Sequence, residues 1–455
     1  MSEVATGSSG KTGAARPPEP LPTHVDGPLP DVTASRGELR VCLVSDTFYP
    51  AFAGGALRFQ RYIPRLRAHG IDVEVICGTP TAIKARLVDL ETPGASVRLG
   101  EFLPDEVMDD AVVHRVRLPN AQTWRRDYHL ARALARFCER SDAPDVVQLL
   151  SVSPAAMPTL ARVRRSGTRI VFTGTMTATL PSNRARRALR RLRFITPLRF
   201  VDAVVTSTDV MRQYFLGLGG KGEIEVIPNG VDLGIFHPPV DGAERLAVRR
   251  SLGIGPEESM LLYVGAVTPR KGIELLLEAW VRHVQRHPNS HLVLAGPERT
   301  RFDPAHAEYH ARLEGLREAS GAPERVHYLG VVENIPELMR AADVFVFASR
   351  REGMGNVVLE AMASELPVVL TPFIGLAGEL GRPDVDYLLA EPDADSIASC
   401  ISRLTVDPEL RDRIARSGRA WVEGHMDVER SVARYAELYR RLATQEDGSQ
   451  NYMRT

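Results

Sequence analysis

The chain has 455 residues, 44% hydrophobic and 25% charged, with 57 basic side chains against 57 acidic ones. That length can bury more than one core and suggests two to three domains, and a net charge of zero provides no global field to draw in nucleic acid or an anionic membrane. The four cysteines, Cys42, Cys77, Cys138 and Cys400, lie far apart, with no metal-ligand or redox spacing, as in a reducing compartment. No apolar run approaches a membrane span and the N-terminus lacks the apolar core of a signal peptide, so the expectation is a soluble, cytoplasmic protein. Only Lys11, Lys84, Lys221 and Lys271 are lysines, an arginine bias associated with GC-rich bacterial genomes.

Residues 1–37 are rich in Gly, Pro, Ser, Thr and Ala without periodicity, and read as a disordered tail because they bury too little apolar surface to offset ordering entropy. A short apolar strand at 39–44 follows, then a loop ending in Gly54 and Gly55, a helix to His69, a C-cap at Gly70 and a strand at 73–76. This unit opens a Rossmann-like sheet whose ligand crevice lies at the carboxyl ends of its strands. Gly54 and Gly55 read either as a plain tight turn or as a ligand-facing pair. Further strands are expected at 112–116, 146–149, 170–173 and 203–206, with helical stretches between several of them, as a parallel sheet requires.

Between residues 183 and 199 stand Arg184, Arg186, Arg187, Arg190, Arg191, Arg193 and Arg199. A solvated helix face with Leu189, Leu192 and Phe194 packed inward is the plainer reading, and contact with an acidic membrane surface is the alternative. The segment Ile227-Pro228-Asn229-Gly230-Val231-Asp232, followed by Phe236 and Pro238-Pro239, reads as a turn and a stiff linker, which sets a domain boundary near residue 235.

The second half repeats the pattern, with a buried strand at 260–265, a loop at 266–272 carrying Arg270 and Lys271, and an amphipathic helix at 273–286. A cation pair at the carboxyl end of a strand suits phosphate, although surface cations are ordinarily just solvated. Strands at 291–296, 326–330 and 342–348 precede the stretch Ser349-Arg350-Arg351-Glu352-Gly353-Met354-Gly355-Asn356, in which Asn356 is the expected N-cap of a helix at 357–364. Glycines admit a ligand close to the backbone and a helix start attracts an anion. Glu352 and Glu360, on either side of it, can each accept two hydrogen bonds from a vicinal diol. Phosphate in the middle with a diol at either end describes a nucleotide sugar. The plainer reading is a dipole-favoured Glu and a glycine loop common to doubly wound sheets. A strand at 368–370 and an amphipathic helix at 427–442 complete the chain, with a frayed end beyond Ala443.

Glu352, seven residues, then Glu360-Ala361-Met362, with Leu366-Pro367-Val368-Val369 beyond, resembles the signature of retaining glycosyltransferases of family 4. The resemblance implies an α/β protein of the GT-B fold, two Rossmann-like doubly wound domains facing each other across a cleft. On that plan residues 38–235 form the acceptor domain, 236–425 the donor domain, and 426–455 a helix crossing back to the first domain with a frayed tail. It implies that Glu352 contacts donor-sugar hydroxyls, Glu360 holds the ribose, Lys271 contacts the diphosphate, and Gly353, Met354, Gly355 and Asn356 form the anion-binding helix start. Gly54 and Gly55, Asn229 of a PNGVD-like segment, and Gly375, with Glu379 in the same loop, fall at further donor-side positions. There are departures: Ala266 stands where the family's arginine is expected, leaving Arg270 to compensate. Thr175 and Gln148 stand where many relatives carry His, Leu376 replaces a glycine, and Glu365 a small residue. The implied reaction is metal-independent transfer, with retention and no cofactor, from a nucleotide-sugar donor to a small polar acceptor in bacterial natural-product (aminoglycoside- or lincosamide-like) or thiol-cofactor biosynthesis. A cell-envelope lipid or polysaccharide transferase, a sugar-nucleotide epimerase and a non-catalytic nucleotide-sugar-binding protein are the alternatives.

Overall fold

The computed structural model describes residues 39–48, 54–80, 97–108, 111–120, 124–150, 156–174, 183–219, 222–298, 307–376 and 380–445. The tail read at 1–37, loop residues Pro50 to Ala53, Thr175, Glu379 and the end from residue 446 lie outside them.

Among the described residues the first sheet has eight strands. They are β1 (Leu39–Ser45), β2 (Ile71–Gly78), β3 (Glu106–Met108), β4 (Ala111–Val116), β5 (Val146–Leu149), β6 (Arg169–Gly174), β7 (Ala203–Thr206) and β8 (Glu223–Val226), in the order β3-β4-β2-β1-β5-β6-β7-β8. All pairs are parallel except β3 with β4. The strands β1, β5 and β7, rich in Val with Leu, are buried along nearly their whole length, as a sheet covered by helices on both faces demands.

The second sheet comprises β9 (Ser259–Val264), β10 (Ser290–Ala295), β11 (Val326–Gly330), β12 (Val344–Phe347), β13 (Val368–Leu370) and β14 (Leu388–Leu389). Its order is β11-β10-β9-β12-β13-β14, all parallel. The order reverses between β9 and β12, so the crevice outside their carboxyl ends is where a doubly wound sheet receives a ligand.

The terminal helix Val428–Thr444 lies on the first sheet and not on the second. Its Val432, Tyr435, Leu438, Tyr439 and Leu442 share a core cluster with Val41, Phe59, Tyr62 and Val75. Burying each such side chain contributes about 1.5–3 kcal/mol, enough to hold the helix there. The Tyr439 hydroxyl donates to Gln148 Oε1 at 2.9 Å, and Gln148 Nε2 donates to Thr173 Oγ1 at 2.8 Å. Gln148 is fully buried in β5, so its amide serves to seat the terminal helix.

Three readings are corrected. Gly54 and Gly55 are the first residues of the helix Gly54–Ala68 and not part of the preceding loop. Asn356 does not cap its helix; it is the first helical residue of Asn356–Ala363, and Gly355, at φ +76°, occupies the cap position with no side-chain cap bond. Leu189 and Leu192 do not pack inward but are 65% and 62% exposed. The α-helix Arg184–Arg190 passes into a π-helix at Arg191–Ile195, which breaks the 3.6-residue period, and Ile195 and Leu198 take the buried positions instead.

Candidate active site

β9 ends at Val264 and the chain turns through a single 3-10 turn, Pro269–Lys271, before the helix Ile273–Val284 begins. Gly272 makes the turn possible. Its φ is +70°, and a Cβ there would stand 2.0 Å from the Ala348 carbonyl oxygen, so the loop lies directly on the end of β12. The Arg350 N–H donates to the Arg270 carbonyl at 3.0 Å and completes the seam.

This seam aims two cations at one carboxylate. Lys271 Nζ lies 2.9 Å and Arg270 Nη1 3.0 Å from Glu352 Oε1, and the Ser349 hydroxyl donates to the same oxygen. Arg270 Nη1 also donates to the Arg351 carbonyl at 2.6 Å. Lys271 is largely buried, 5.3 Å above the centre of the Phe347 ring. Burial pushes its pKa below the ordinary lysine value; Glu352 opposes that shift and Arg270 adds to it. The Glu352 N–H donates to the Ile374 carbonyl and Ile374 N–H to the Arg350 carbonyl, both at 3.0 Å, so the loop bearing Gly375 is laid beside Glu352.

The Asn356–Ala363 helix points its uncapped start at the same region, through the Glu352-to-Gly355 turn. Such a start carries partial positive charge. Met354 is buried, and its sulfur accepts from the Asn229 N–H at 3.3 Å; it packs the turn against the linker. Asn356 Oδ1 accepts from Asn229 Nδ2 at 2.7 Å, and Asn229 Oδ1 accepts from Arg58 Nη1. Asn229 therefore stitches the glycine turn to the first helix.

One turn into the helix, Glu360 Oε1 accepts from Arg61 Nη1 at 3.0 Å. Arg61 comes from the opposite domain and its guanidinium lies 5.2 Å from the centre of the Phe236 ring. Burial raises the Glu360 pKa above the usual glutamate value, with Arg61 pulling it down. Arg58, Arg61, Asn229, Asp232, Asn356 and Glu360 line a cavity of about 150 Å³ between the domains.

The structure thus brings together Glu352, Lys271, Arg270, Gly353 to Asn356, Gly375, Asn229 and Glu360. Gly54 and Gly55 open the helix that supplies Arg58 and Arg61, and Thr175 lies outside the described residues. Sequence reasoning missed Ser349, Arg58 and Arg61. Ser349 sits next to the motif; the two arginines lie three apart in a helix that also holds Arg65 and Arg67, so no spacing singles them out. Chemically the cluster offers two cations and a helix start for an anion, flanked by two carboxylates that accept hydroxyl protons.

Residues 244–421 match the family described as glycosyl transferases group 1, and residues 53–230 match the glycosyl transferase 4-like domain. Among curated relatives, the uncharacterized glycosyltransferase MJ1607 of Methanocaldococcus jannaschii is 34% identical over 202 residues, 44% of this chain and 49% of the relative. D-inositol 3-phosphate glycosyltransferase of Actinosynnema mirum is 30% identical over 223 residues, 47% of this chain and 51% of the relative. The chain thus spans about half the length of these curated relatives. Sucrose-phosphate synthase from Thermosynechococcus elongatus shares the fold with a TM-score of 0.70 at 21% identity, covering 89% of this chain and 99% of that one. With one family description on each sheet domain and the paired-glutamate turn at the switch point of the second, the chain belongs to the family 4-like glycosyltransferases of the GT-B fold.

Proposed function

We propose that the protein moves a sugar from a nucleotide-sugar donor to a small polar acceptor, with retention of anomeric configuration and without a metal ion. The observation that carries this reading is the convergence of Lys271 and Arg270 on Glu352 beside the uncapped Asn356–Ala363 helix start. The donor diphosphate lies against Lys271, Arg270 and the helix start, the ribose diol against Glu360, and the sugar hydroxyls against Glu352. As the bond from the anomeric carbon to the diphosphate oxygen breaks, negative charge grows on that oxygen. Fixed cations and N–H groups stabilise it in the role a metal plays elsewhere. The acceptor oxygen forms its bond on the face the diphosphate leaves, and its proton passes to the departing phosphate. Closure of the cleft excludes water and favours transfer over hydrolysis.

We infer that the acceptor belongs to bacterial natural-product biosynthesis, of the aminoglycoside or lincosamide kind, or to thiol-cofactor biosynthesis; a relative named for D-inositol 3-phosphate, a small polar molecule, supports that preference. A second reading, a cell-envelope lipid or polysaccharide acceptor, draws on the exposed Leu189 and Leu192 within the arginine-rich stretch. Among the described residues no helix is long and apolar enough to cross a membrane.

The test is a thermal-shift panel of UDP-, GDP-, ADP- and dTDP-sugars against wild type and Glu360→Ala. A ligand at a hundred times its Kd adds about 2.7 kcal/mol to the native state, a rise of several degrees. One base class is expected to raise Tm in wild type and to lose the effect in Glu360→Ala. No shift with any member of the panel overturns the donor reading.

A further inference from the structure

We propose that Arg61, a residue of the first domain, is a positioning residue for the nucleotide: it holds Glu360 of the second domain in the orientation that receives the ribose diol. The inference rests on the donor reading above and adds to it the group that makes the ribose end of the site a two-domain structure.

Glu360 stands one turn into its helix, and its side chain is 16% exposed. A glutamate in such a place has several rotamers, only some of which face the crevice, and its charge is disfavoured by burial. Arg61 answers both problems through one contact, Nη1 to Oε1 at 3.0 Å. The contact takes one carboxylate oxygen, Oε1, and Glu360 lines the cavity together with Asn229, Asn356 and Arg58. A carboxylate has about four lone-pair sites, so a diol and a guanidinium can share it. Arg61 is itself fixed. Its guanidinium lies over the Phe236 ring at 5.2 Å, and its carbonyl accepts from Arg65 Nη1 at 2.9 Å. The Arg65 side chain is tied in turn to Asp232 at 2.7 Å and Glu429 at 2.6 Å. The chain of contacts runs from the terminal helix to Glu360 without crossing the diphosphate region.

Among the described residues, the charged groups that share the cavity with Glu360 come from two elements. The first helix contributes Arg61 and Arg58, the linker contributes Asp232, which is engaged by Arg65, and the terminal helix meets the cavity through Val428. Loss of Arg61 therefore removes the cation that offsets burial at Glu360. The carboxyl then protonates at a higher pH, and an acid limb in nucleotide binding moves upward with it.

The experiment is titration calorimetry of the full chain with UDP, GDP and ADP and with their 2′-deoxy counterparts, for wild type, Arg61→Met and Arg61→Lys, between pH 5 and 8. Wild type binds one of the ribonucleotides and discriminates against its 2′-deoxy form. Arg61→Met weakens the ribonucleotide by about tenfold, leaves the 2′-deoxy form much less affected, and shifts the acid limb to higher pH; Arg61→Lys restores most of the affinity. If no ribonucleotide binds wild type, the donor reading fails and this proposal fails with it. If wild type binds but Arg61→Met weakens both sugar forms equally with an unmoved acid limb, Arg61 is structural and the proposal is overturned. Tighter binding by Arg61→Met also overturns it, because the ion pair then competes with the ribose. Arg61→Lys preserves the charge and decides the matter if Arg61→Met does not fold.

Discussion

Gly272→Ala tests whether the cation loop is positioned by the end of β12. The substitution carries two separable costs. An L-residue at φ +70° pays about 1–2 kcal/mol for the left-handed conformation. In addition, the new Cβ meets the Ala348 carbonyl oxygen at 2.0 Å, where ordinary contact begins at about 3.4 Å. The atom it meets is backbone, so no flexible side chain can give way and the loop must retreat by more than 1 Å. Lys271 and Arg270 sit immediately before this residue, and a displacement of that size at a charge-stabilising group costs about a hundredfold in turnover. Gly253→Ala isolates the first cost, because Gly253 has the same φ of +70° with nothing within 4 Å of its added Cβ. The assay is kcat and KM for the donor beside the melting temperature of both variants. Gly253→Ala is expected to lower Tm by a few degrees with activity intact, whereas Gly272→Ala lowers Tm further and turnover by about two orders of magnitude. Equal Tm values with full activity in Gly272→Ala refute the reasoning, since the loop would then not depend on its contact with Ala348.

Two further predictions concern the first domain. Tyr439→Phe removes the donor to Gln148 Oε1 inside a fully buried network, leaving an orphaned amide oxygen at a cost of about 1–3 kcal/mol; thermal melting should show a drop of several degrees, and an unchanged Tm would mean the hydroxyl is dispensable. His114 is buried, and burial alone disfavours its charged form. The Asp105 carboxylate at 2.7 Å from Nδ1 and Glu74 at 4.0 Å from Nε2 outweigh that and raise its pKa to about 9. A folded-state pKa above the unfolded value stabilises fully below about pH 6.5 and is lost as pH rises through about 9. The Tm advantage of wild type over His114→Gln should therefore shrink between those limits, and an advantage that grows with pH would contradict the charged-imidazole assignment.

Most strands of both sheets are legible in the sequence because parallel strands covered on two faces must be nearly continuous Val, Ile and Leu. Three of the four edge strands, β3, β8 and β14, escape that logic. β8 reads Glu-Ile-Glu-Val with its residues only half-buried, and β14 is two residues long, too short to carry a pattern. The site follows the same division. Glu352, the glycines and Glu360 are legible because one turn of loop and one of helix bring them together in a single short stretch. Lys271 and Arg270 are legible as a pair, but not their convergence on Glu352, which depends on the close fit of Gly272 against Ala348. Arg61 and Glu360 are 299 positions apart, and Gln148 and Tyr439 are 291 apart. Only the docking of two domains and of the terminal helix creates such pairs, and no local periodicity encodes them. The exposed Leu189 and Leu192 show the opposite failure: a regular helical period predicts them inward where the backbone changes its winding.

The two places where the chain passes between domains lie side by side. The Val231 N–H donates to the Met426 carbonyl at 2.7 Å and the Val428 N–H to the Val231 carbonyl at 3.0 Å, so the outgoing linker and the returning segment form a short parallel bridge. Gly230 packs so closely there that a Cβ would come within 2.2 Å of Val428 Cα. This bridge ties the two crossings of the chain together at one end of the cleft. Glu360 shares a cavity with Gly230 and Val428 and is held by a first-domain arginine, so the proposed ribose end of the site lies beside this bridge. Glu352 is held in the second domain by Ser349, Arg270, Lys271 and Ile374. On the proposed reading, a nucleotide docks on contacts that already join the two domains.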